Sequence, residues 1–459
     1  MKTKNIKWAF MLALAAVGTM FTSCEDEPDK YESTGGHPTV YYIRPAAVAS
    51  KDSLLVSASM EQMICLVGDN LRSIMELYFN DQKAVLNTSY ITDHTLIVTV
   101  PKTIPSNVTN KMYMITADKD TIPYDFSVTI PGPSVVSLSN EWAAADEEVT
   151  ITGDYFLDYE NSPLTINVGK NYTVPRENII SITKTAITFR MPADMPQHEE
   201  ISVTTIYGTT KGSFEYMDDR GMLFDFDNPY PGGSDVLGNN GWHSRPIQSD
   251  DTSLSGNYMM LGGPAASMGA DGGWNDGDFS FEYWAGNWAD PETYAGRPRL
   301  NDVADFTDWN NMSLKFEMRV PSSNPWQSGP MQIIFGGPEV ISQGNAGVKD
   351  IYGATLGGAN NTWFHEQGKI GRAIYMPFKA SGSYDTGDKW VTVTIPLSSF
   401  TLDWDGNDLK KTTFTKPSDF ASLNIFMVRG NYDDKTVLPE GADCHPVVQI
   451  DNIRVVPNK

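Results

Sequence analysis

Apolar and polar residues alternate in short runs along most of this 459-residue chain, and apolar residues rarely recur at the three-and-four spacing of a helix face. Thr95-Leu96-Ile97-Val98-Thr99-Val100, Ala186-Ile187-Thr188-Phe189-Arg190-Met191 and Trp390-Val391-Thr392-Val393-Thr394-Ile395 are three such runs, and Pro, Gly, Asn and Asp punctuate the chain around them. A period of two puts one side of each run on a core and the other toward solvent, so the pattern predicts strands and an all-β chain. More than 400 residues exceeds what one hydrophobic core usually organises, which predicts several domains.

The pattern also repeats. One copy holds Met63-Ile64-Cys65-Leu66-Val67-Gly68-Asp69-Asn70-Leu71, then Leu77-Tyr78-Phe79-Asn80, then Leu96 to Pro101 and Pro105. The other holds Val149-Thr150-Ile151-Thr152-Gly153-Asp154-Tyr155-Phe156, then Thr165-Ile166-Asn167-Val168-Gly169, then Ile187 to Pro192 and Pro196. The Gly-Asp pairs are 85 residues apart and both proline pairs 91 apart, so small insertions between strands separate the copies. Each copy has the size of an immunoglobulin-like sandwich. The order strand, glycine turn, strand, proline resembles the immunoglobulin-like, plexin, transcription-factor (IPT/TIG) domain, which implies spacer modules. Pro131-Gly132-Pro133 reads as the joint between the copies and Met217-Asp218-Asp219-Arg220-Gly221 as a second joint, giving domains at 38–131, 132–219 and 220–459.

Ahead of the first copy, Lys2, Lys4 and Lys7 precede an apolar stretch over 8–20, the pattern of an export signal (residues 1–23) and too short for a comfortable membrane span. Phe21-Thr22-Ser23-Cys24 resembles the lipobox of bacterial lipoproteins, which implies cleavage before Cys24 and its acylation; an ordinary secretory peptide is the alternative. Glu25-Asp26-Glu27 resembles the surface-export signal of Bacteroidetes lipoproteins. Residues 24–37 then form an acylated cysteine and a flexible acidic tether containing Pro28, Gly35 and Gly36. Together these imply a lipid-anchored protein of the outer membrane, facing the exterior. Cys65 and Cys444 read as buried small hydrophobes rather than a disulfide.

A net charge of −23 argues against nucleic acid as a partner, since phosphate binding needs a basic surface. Neutral ligands fit best.

The last domain opens with Phe224-Asp225-Phe226-Asp227 and closes with the alternating run over 447–456, an arrangement that resembles the jelly rolls of carbohydrate-binding modules. Nine of the eleven tryptophans lie beyond residue 220: Trp242, Trp274, Trp284, Trp288, Trp309, Trp326, Trp363, Trp390 and Trp404. Several sit among Gly, Asn, Asp and Pro, as in Gly286-Asn287-Trp288-Ala289-Asp290 and Asn324-Pro325-Trp326-Gln327, which read as loops. A loop tryptophan beside polar side chains offers a flat apolar face together with hydrogen bonds, and a sugar ring needs both. Trp390 starts an alternating strand and reads as core; Trp309 and Trp404 have no assignment from sequence.

The order of these parts resembles the elongated surface glycan-binding proteins of Bacteroidetes polysaccharide-utilisation loci, of the type ending in a xyloglucan-binding domain. The resemblance covers nearly the whole chain. It implies two tandem immunoglobulin-like (IPT/TIG) sandwiches followed by a larger jelly-roll-like β-sandwich that binds polysaccharide without cleaving it. Pro325-Trp326-Gln327-Ser328-Gly329-Pro330-Met331 resembles the family segment in which a loop tryptophan precedes a strand, and Asn361-Thr362-Trp363-Phe364 the following loop with an aromatic pair. The resemblance thereby implies an aromatic platform of Trp326, Trp363 and Phe364; tryptophan followed by phenylalanine departs from the family pattern at Phe364. Trp288, Tyr294, Arg297 and Arg299, in one Gly- and Pro-rich stretch, are second-rank glycan contacts or loop stabilisers. The implied ligand is a neutral polymer, xyloglucan or another β-glucan or β-mannan, held at micromolar to millimolar affinity, about −4 to −8 kcal/mol. The implied partners are the outer membrane, a transporter and binding-protein pair, and a surface glycanase. Jelly-roll binding modules often carry a structural calcium, but no ligand loop is identifiable, and no cofactor is expected.

Two other classes compete. A glycoside hydrolase or lyase would need two placed carboxylates, for which Asp225, Asp227, Asp276, Asp278 and Glu282 are the supply. His365-Glu366 lacks the second histidine of a zinc-protease helix, and there is no Gly-x-Ser-x-Gly elbow. A protein-binding adhesin would use the same sandwich repeats but has no need of nine tryptophans in one domain.

Overall fold

The computed structural model describes residues 32–50, 52–227, 247–268, 276–283, 285, 298–337, 351–352, 370–428 and 444–458. The expected alternating runs are strands, Thr95–Thr99, Ala186–Arg190 and Val391–Pro396, and the described helical turns are of three or four residues. The chain divides into two compact units, 1–131 and 132–459.

The first unit holds one sandwich. A three-stranded sheet runs in the order Thr39–Pro45, Met63–Asp69, Thr95–Thr99, and a four-stranded one in the order Gln82–Lys83, Ile74–Phe79, Lys111–Thr116, Thr121–Asp125. Ile64, Leu66, Leu77, Leu96, Met112 and Phe126 fill the space between them. The second unit begins with a similar sandwich: Ser134–Leu138, Glu148–Asp154, Ala186–Arg190, Ile179–Ile182 face Tyr172–Thr173, Thr165–Val168, Glu199–Thr205, Gly208–Tyr216.

The Gly-Asp repeat has a backbone cause. In both copies the first strand kinks against the glycine of the second: Val40 lies opposite Gly68 and Val135 opposite Gly153, with a register shift immediately after each. The kink brings a carbonyl where a side chain would stand. A Cβ on Gly68 would sit 1.9 Å from the Thr39 carbonyl oxygen, and one on Gly153 1.8 Å from that of Ser134. Only glycine tolerates that approach.

The rest of the second unit is a larger sandwich. One layer has the order Ile247–Gln248, Tyr258–Gly262, Val447–Pro457, Met312–Arg319, Val391–Pro396, with Met222–Phe224 also paired to the long closing strand. The other has the order Ser280–Tyr283, Ser422–Met427, Met331–Gly336, Ala373–Tyr375. Phe224 meets Phe281 and Tyr283 edge-on across the core, with centroids 5.1 and 5.2 Å apart. Cys65 and Cys444 are both buried.

The expected boundary at 219/220 falls where the small and the large sandwich meet, and the two pack into one compact unit. Each has its own apolar core, so the junction between them is not a shared hydrophobic one. It is ionic and buried. Lys315 and Arg454 project from adjacent strands of the larger sandwich to opposite oxygens of Glu141, at 2.6 and 2.7 Å. Arg454 also holds Glu317 at 2.7 Å, while Thr392 donates to Glu317 and accepts from the Glu141 amide at 3.0 and 2.8 Å. All four charged residues are at most 4% exposed. The chain crosses between sandwiches in a few residues: the Met217 amide donates to the Glu141 carbonyl, and Val455 donates to Gly221. A Cβ on Gly221 would lie 2.0 Å from the Val455 oxygen, so this crossing is also drawn tight.

Candidate functional site

Strand alternation gives the four-stranded layer two unlike faces. Phe281, Tyr283, Leu423, Ile425, Ile333 and Phe335 turn to the core. On the opposite face, by register, Glu282 lies beside Asn424 and Ile334, and Ser280 beside Phe426 and Gln332. Polar side chains therefore line a buried face, an arrangement that costs free energy unless they are hydrogen-bonded. Arg372, fully buried, donates from Nη1 to Gln332 Oε1 at 2.8 Å, and Gln332 Nε2 donates to the Trp404 carbonyl at 3.2 Å. The Arg372 guanidinium also lies 5.6 Å from the centre of the Trp404 ring. Sequence reading passed over Arg372 and Gln332 and left Trp404 without an assignment. Arg372 and Gln332 carry no local signal, but Asp403-Trp404-Asp405-Gly406-Asn407 has the same loop composition that marked Trp288.

The same register sets the strand ends from which two candidate segments depart side by side. Tyr283 and Phe335 flank Leu423 on either side, and Gly336 pairs with Ser422. Segments 284–297 and 338–369 thus leave one end of one sheet. They carry Trp288, Tyr294 and Arg297, and Trp363 and Phe364, all five of which lie outside the described residues, as does Cys24.

Trp326 is a correction. It is 0% exposed and cannot offer a face to a sugar. Two backbone hydrogen bonds tie it to Tyr384, at 2.7 and 2.9 Å, and its ring packs against Phe378 and Tyr375 at 5.4 and 6.2 Å. Its indole nitrogen donates to the carbonyls of Ser328 and Gly329, at 2.9 and 3.2 Å, satisfying its one polar group inside the protein. The Pro-Trp-Gln context is a loop by composition, but the loop folds inward. Trp390 is buried as its strand pattern implies, donating to the Thr252 carbonyl at 2.8 Å. Trp309 packs edge-on to Phe414 at 5.6 Å. Arg299 precedes a four-residue helical turn over Leu300–Val303.

The carboxylates weighed for hydrolysis are spread over the domain. Asp225 and Asp227 share one turn, in which the Asp227 amide donates to Asp225, just past a strand of the larger layer. Glu282 belongs to the other layer. Among the described residues no group of three His, Cys, Asp or Glu is arranged to hold a metal ion.

An all-β chain in which two small sandwiches are followed in sequence by a larger one with a polar-faced sheet has the architecture of a carbohydrate-binding protein. Comparison with known families agrees: residues 216–457, more than half the chain, match the surface glycan-binding protein B xyloglucan binding domain, and residues 133–216 match the IPT/TIG domain. The chain belongs to the surface glycan-binding protein B family, and its business is binding glycan at the cell surface rather than catalysis. It is similar to the surface glycan-binding protein PbSGBP-B of Prevotella bryantii, at 68% identity over 93% of this chain and 100% of that one, with a TM-score of 0.83. A surface glycan-binding protein B from a complex xyloglucan utilization locus in Bacteroides uniformis is 15% identical over 92% of this chain and all of that one, with a TM-score of 0.39. An IPT/TIG domain-containing protein of Bacteroides ovatus is 25% identical over 143 residues, 30% of this chain; the match spans 28% of that relative's length. The expected architecture of two immunoglobulin-like sandwiches and a larger binding sandwich agrees with these findings.

Proposed function

We propose that the protein captures xyloglucan or a closely related neutral β-glucan at the outer membrane, where acylated Cys24 anchors it. The observation that carries this reading is the common exit of segments 284–297 and 338–369 from one end of the polar-faced sheet. It supports an aromatic platform in which Trp363 and Phe364 stack on the backbone while Trp288, Tyr294 and Arg297 add contacts. The family's description as xyloglucan-binding supports the choice of polymer. Trp326 underpins the scaffold rather than the platform. Individual sites of this kind are weak, and many anchored copies on one long polymer supply avidity. Captured polymer is held near surface glycanases and an import channel of the same locus, and the small sandwiches act as spacers.

Native electrophoresis of residues 25–459 through gels containing xyloglucan, mixed-linkage glucan or mannan tests this, with reducing-sugar release followed in parallel. Retardation by xyloglucan without sugar release is expected, and Trp363→Ala should weaken it about three- to tenfold, the size of one aromatic contact. No retardation by any of these polymers, or release of sugar, would overturn the reading.

A further inference from the structure

We infer that Trp404 is a sugar-stacking residue of the glycan site, held in place by Arg372 and Gln332; this rests on the glycan-binding reading and deepens it. The four described tryptophans of the large sandwich differ in what holds them. Trp326 and Trp390 are buried; Trp309 and Trp404 are both half-buried, but Trp309 packs on phenylalanines whereas Trp404 rests against a buried cation.

Its backbone is fixed on every side. Leu402 and Arg372 exchange two backbone hydrogen bonds, at 3.1 and 2.9 Å, anchoring the chain two residues before the ring. The buried Asp403 carboxylate accepts from the amides of Asp405 and Asn407 at 3.0 and 2.9 Å, closing a tight turn around residue 404. Gly406, at φ +78°, allows the turn. With its carbonyl on Gln332 and its ring on Arg372, the indole is ordered before ligand arrives, so binding costs little further side-chain entropy.

Its position fits the site. Arg372 leads directly into Ala373–Tyr375, an outer strand of the polar-faced sheet. The same 402–411 loop also holds residues 351 and 352: Lys411 Nζ donates to the Ile351 carbonyl at 3.2 Å and lies 5.4 Å from the ring centre of Tyr352, which is 66% exposed. An exposed tyrosine thus packs on the end of the loop that carries the half-buried Trp404, whose ring and carbonyl rest on the Arg372 guanidinium and the Gln332 amide. That pairing of flat apolar faces with directional donors suits a pyranose.

Calorimetric titration of residues 25–459 with xyloglucan oligosaccharide tests the assignment. Trp404→Ala should raise Kd about three- to tenfold with the unfolding midpoint unchanged, and Trp404→Phe should recover most of the loss. Trp309→Ala, in contrast, should lower the midpoint and leave Kd alone. Radical footprinting of the unmodified protein provides a readout independent of substitution: oligosaccharide should suppress oxidation of Trp404 severalfold. Undiminished binding by Trp404→Ala, or unchanged oxidation of Trp404 in the saturated complex, would overturn this assignment while leaving the glycan-binding reading intact. Failure of the unmodified protein to bind any β-glucan would instead sink that reading and this inference with it.

Discussion

The two small sandwiches open with the same kinked strand pairing, yet they differ three residues past their matched core positions, Ile43 and Leu138. The first has Ala46 there and the second Glu141. The first sandwich is a compact unit by itself, whereas the second is one unit with the glycan-binding sandwich. A single acid, reached equally by Lys315 and Arg454, joins the second sandwich to its neighbour. Duplicated modules can therefore share a core design while one becomes part of the binding domain's foundation. The distinction rests on charge pairing rather than on the apolar cores, which remain separate. Buried ion pairs add little net stability compared with apolar packing, but removal of one member leaves the others stranded, and so they specify which surfaces meet.

The largest effect should come from installing the first copy's residue in the second. Glu141→Ala leaves Lys315 and Arg454 buried without this partner and should cost the second unit about 3–5 kcal/mol in urea unfolding. The first sandwich should unfold as before. A cost below about 1 kcal/mol would mean that the ionic junction is not what unites the second unit.

A smaller effect should be equal in the two copies. Gly68→Ala and Gly153→Ala each drive a methyl into a carbonyl oxygen and should cost about 1–3 kcal/mol in their own sandwiches. A marked inequality in chemical unfolding would break the claim that one kink serves both.

A pH-dependent effect concerns Asp451, opposite Glu317 in the sheet. Burial, reinforced by the charges of Glu317, Asp227 and Asp225, pushes its carboxyl up to about 9. At neutral pH it is therefore protonated. A folded value above the unfolded one, about 3.9, means the folded state binds the extra proton between them. Stability from this group is full below about pH 4, falls as pH rises, and is lost by about pH 9. Asp451→Asn should accordingly raise the melting temperature, by an amount that grows from pH 5 to pH 9. A pH-independent difference would remove Asp451 from the account.

Much of the fold is legible in sequence because strands write their own period. Thr95–Thr99 and Ala186–Arg190 show the same alternating burial that their side chains announce. The repeated Gly-Asp was visible too, although its cause, a carbonyl less than 2 Å from where a Cβ would stand, appears only when two strands pair. The candidate site was less legible. Loop composition marked Trp326 for the surface, but ring packing against Phe378 and Tyr375 and a bridge to Tyr384 take it inside. The same composition surrounds Trp404, which sequence alone left unassigned.

By itself, then, the sequence determined the strand content, the doubled small sandwich, a net charge that argues against nucleic acid, and a family resemblance strong enough to name a ligand class. Those are properties of local pattern and total composition. Only the tertiary structure decided which acid among 57 becomes a buried junction, which tryptophans serve as core, and which strand ends bring distant segments to one place. Glu141 and Arg454 are 313 residues apart in sequence, as are no residues that local alternation can relate, and it is the register of the closing strand that makes them meet.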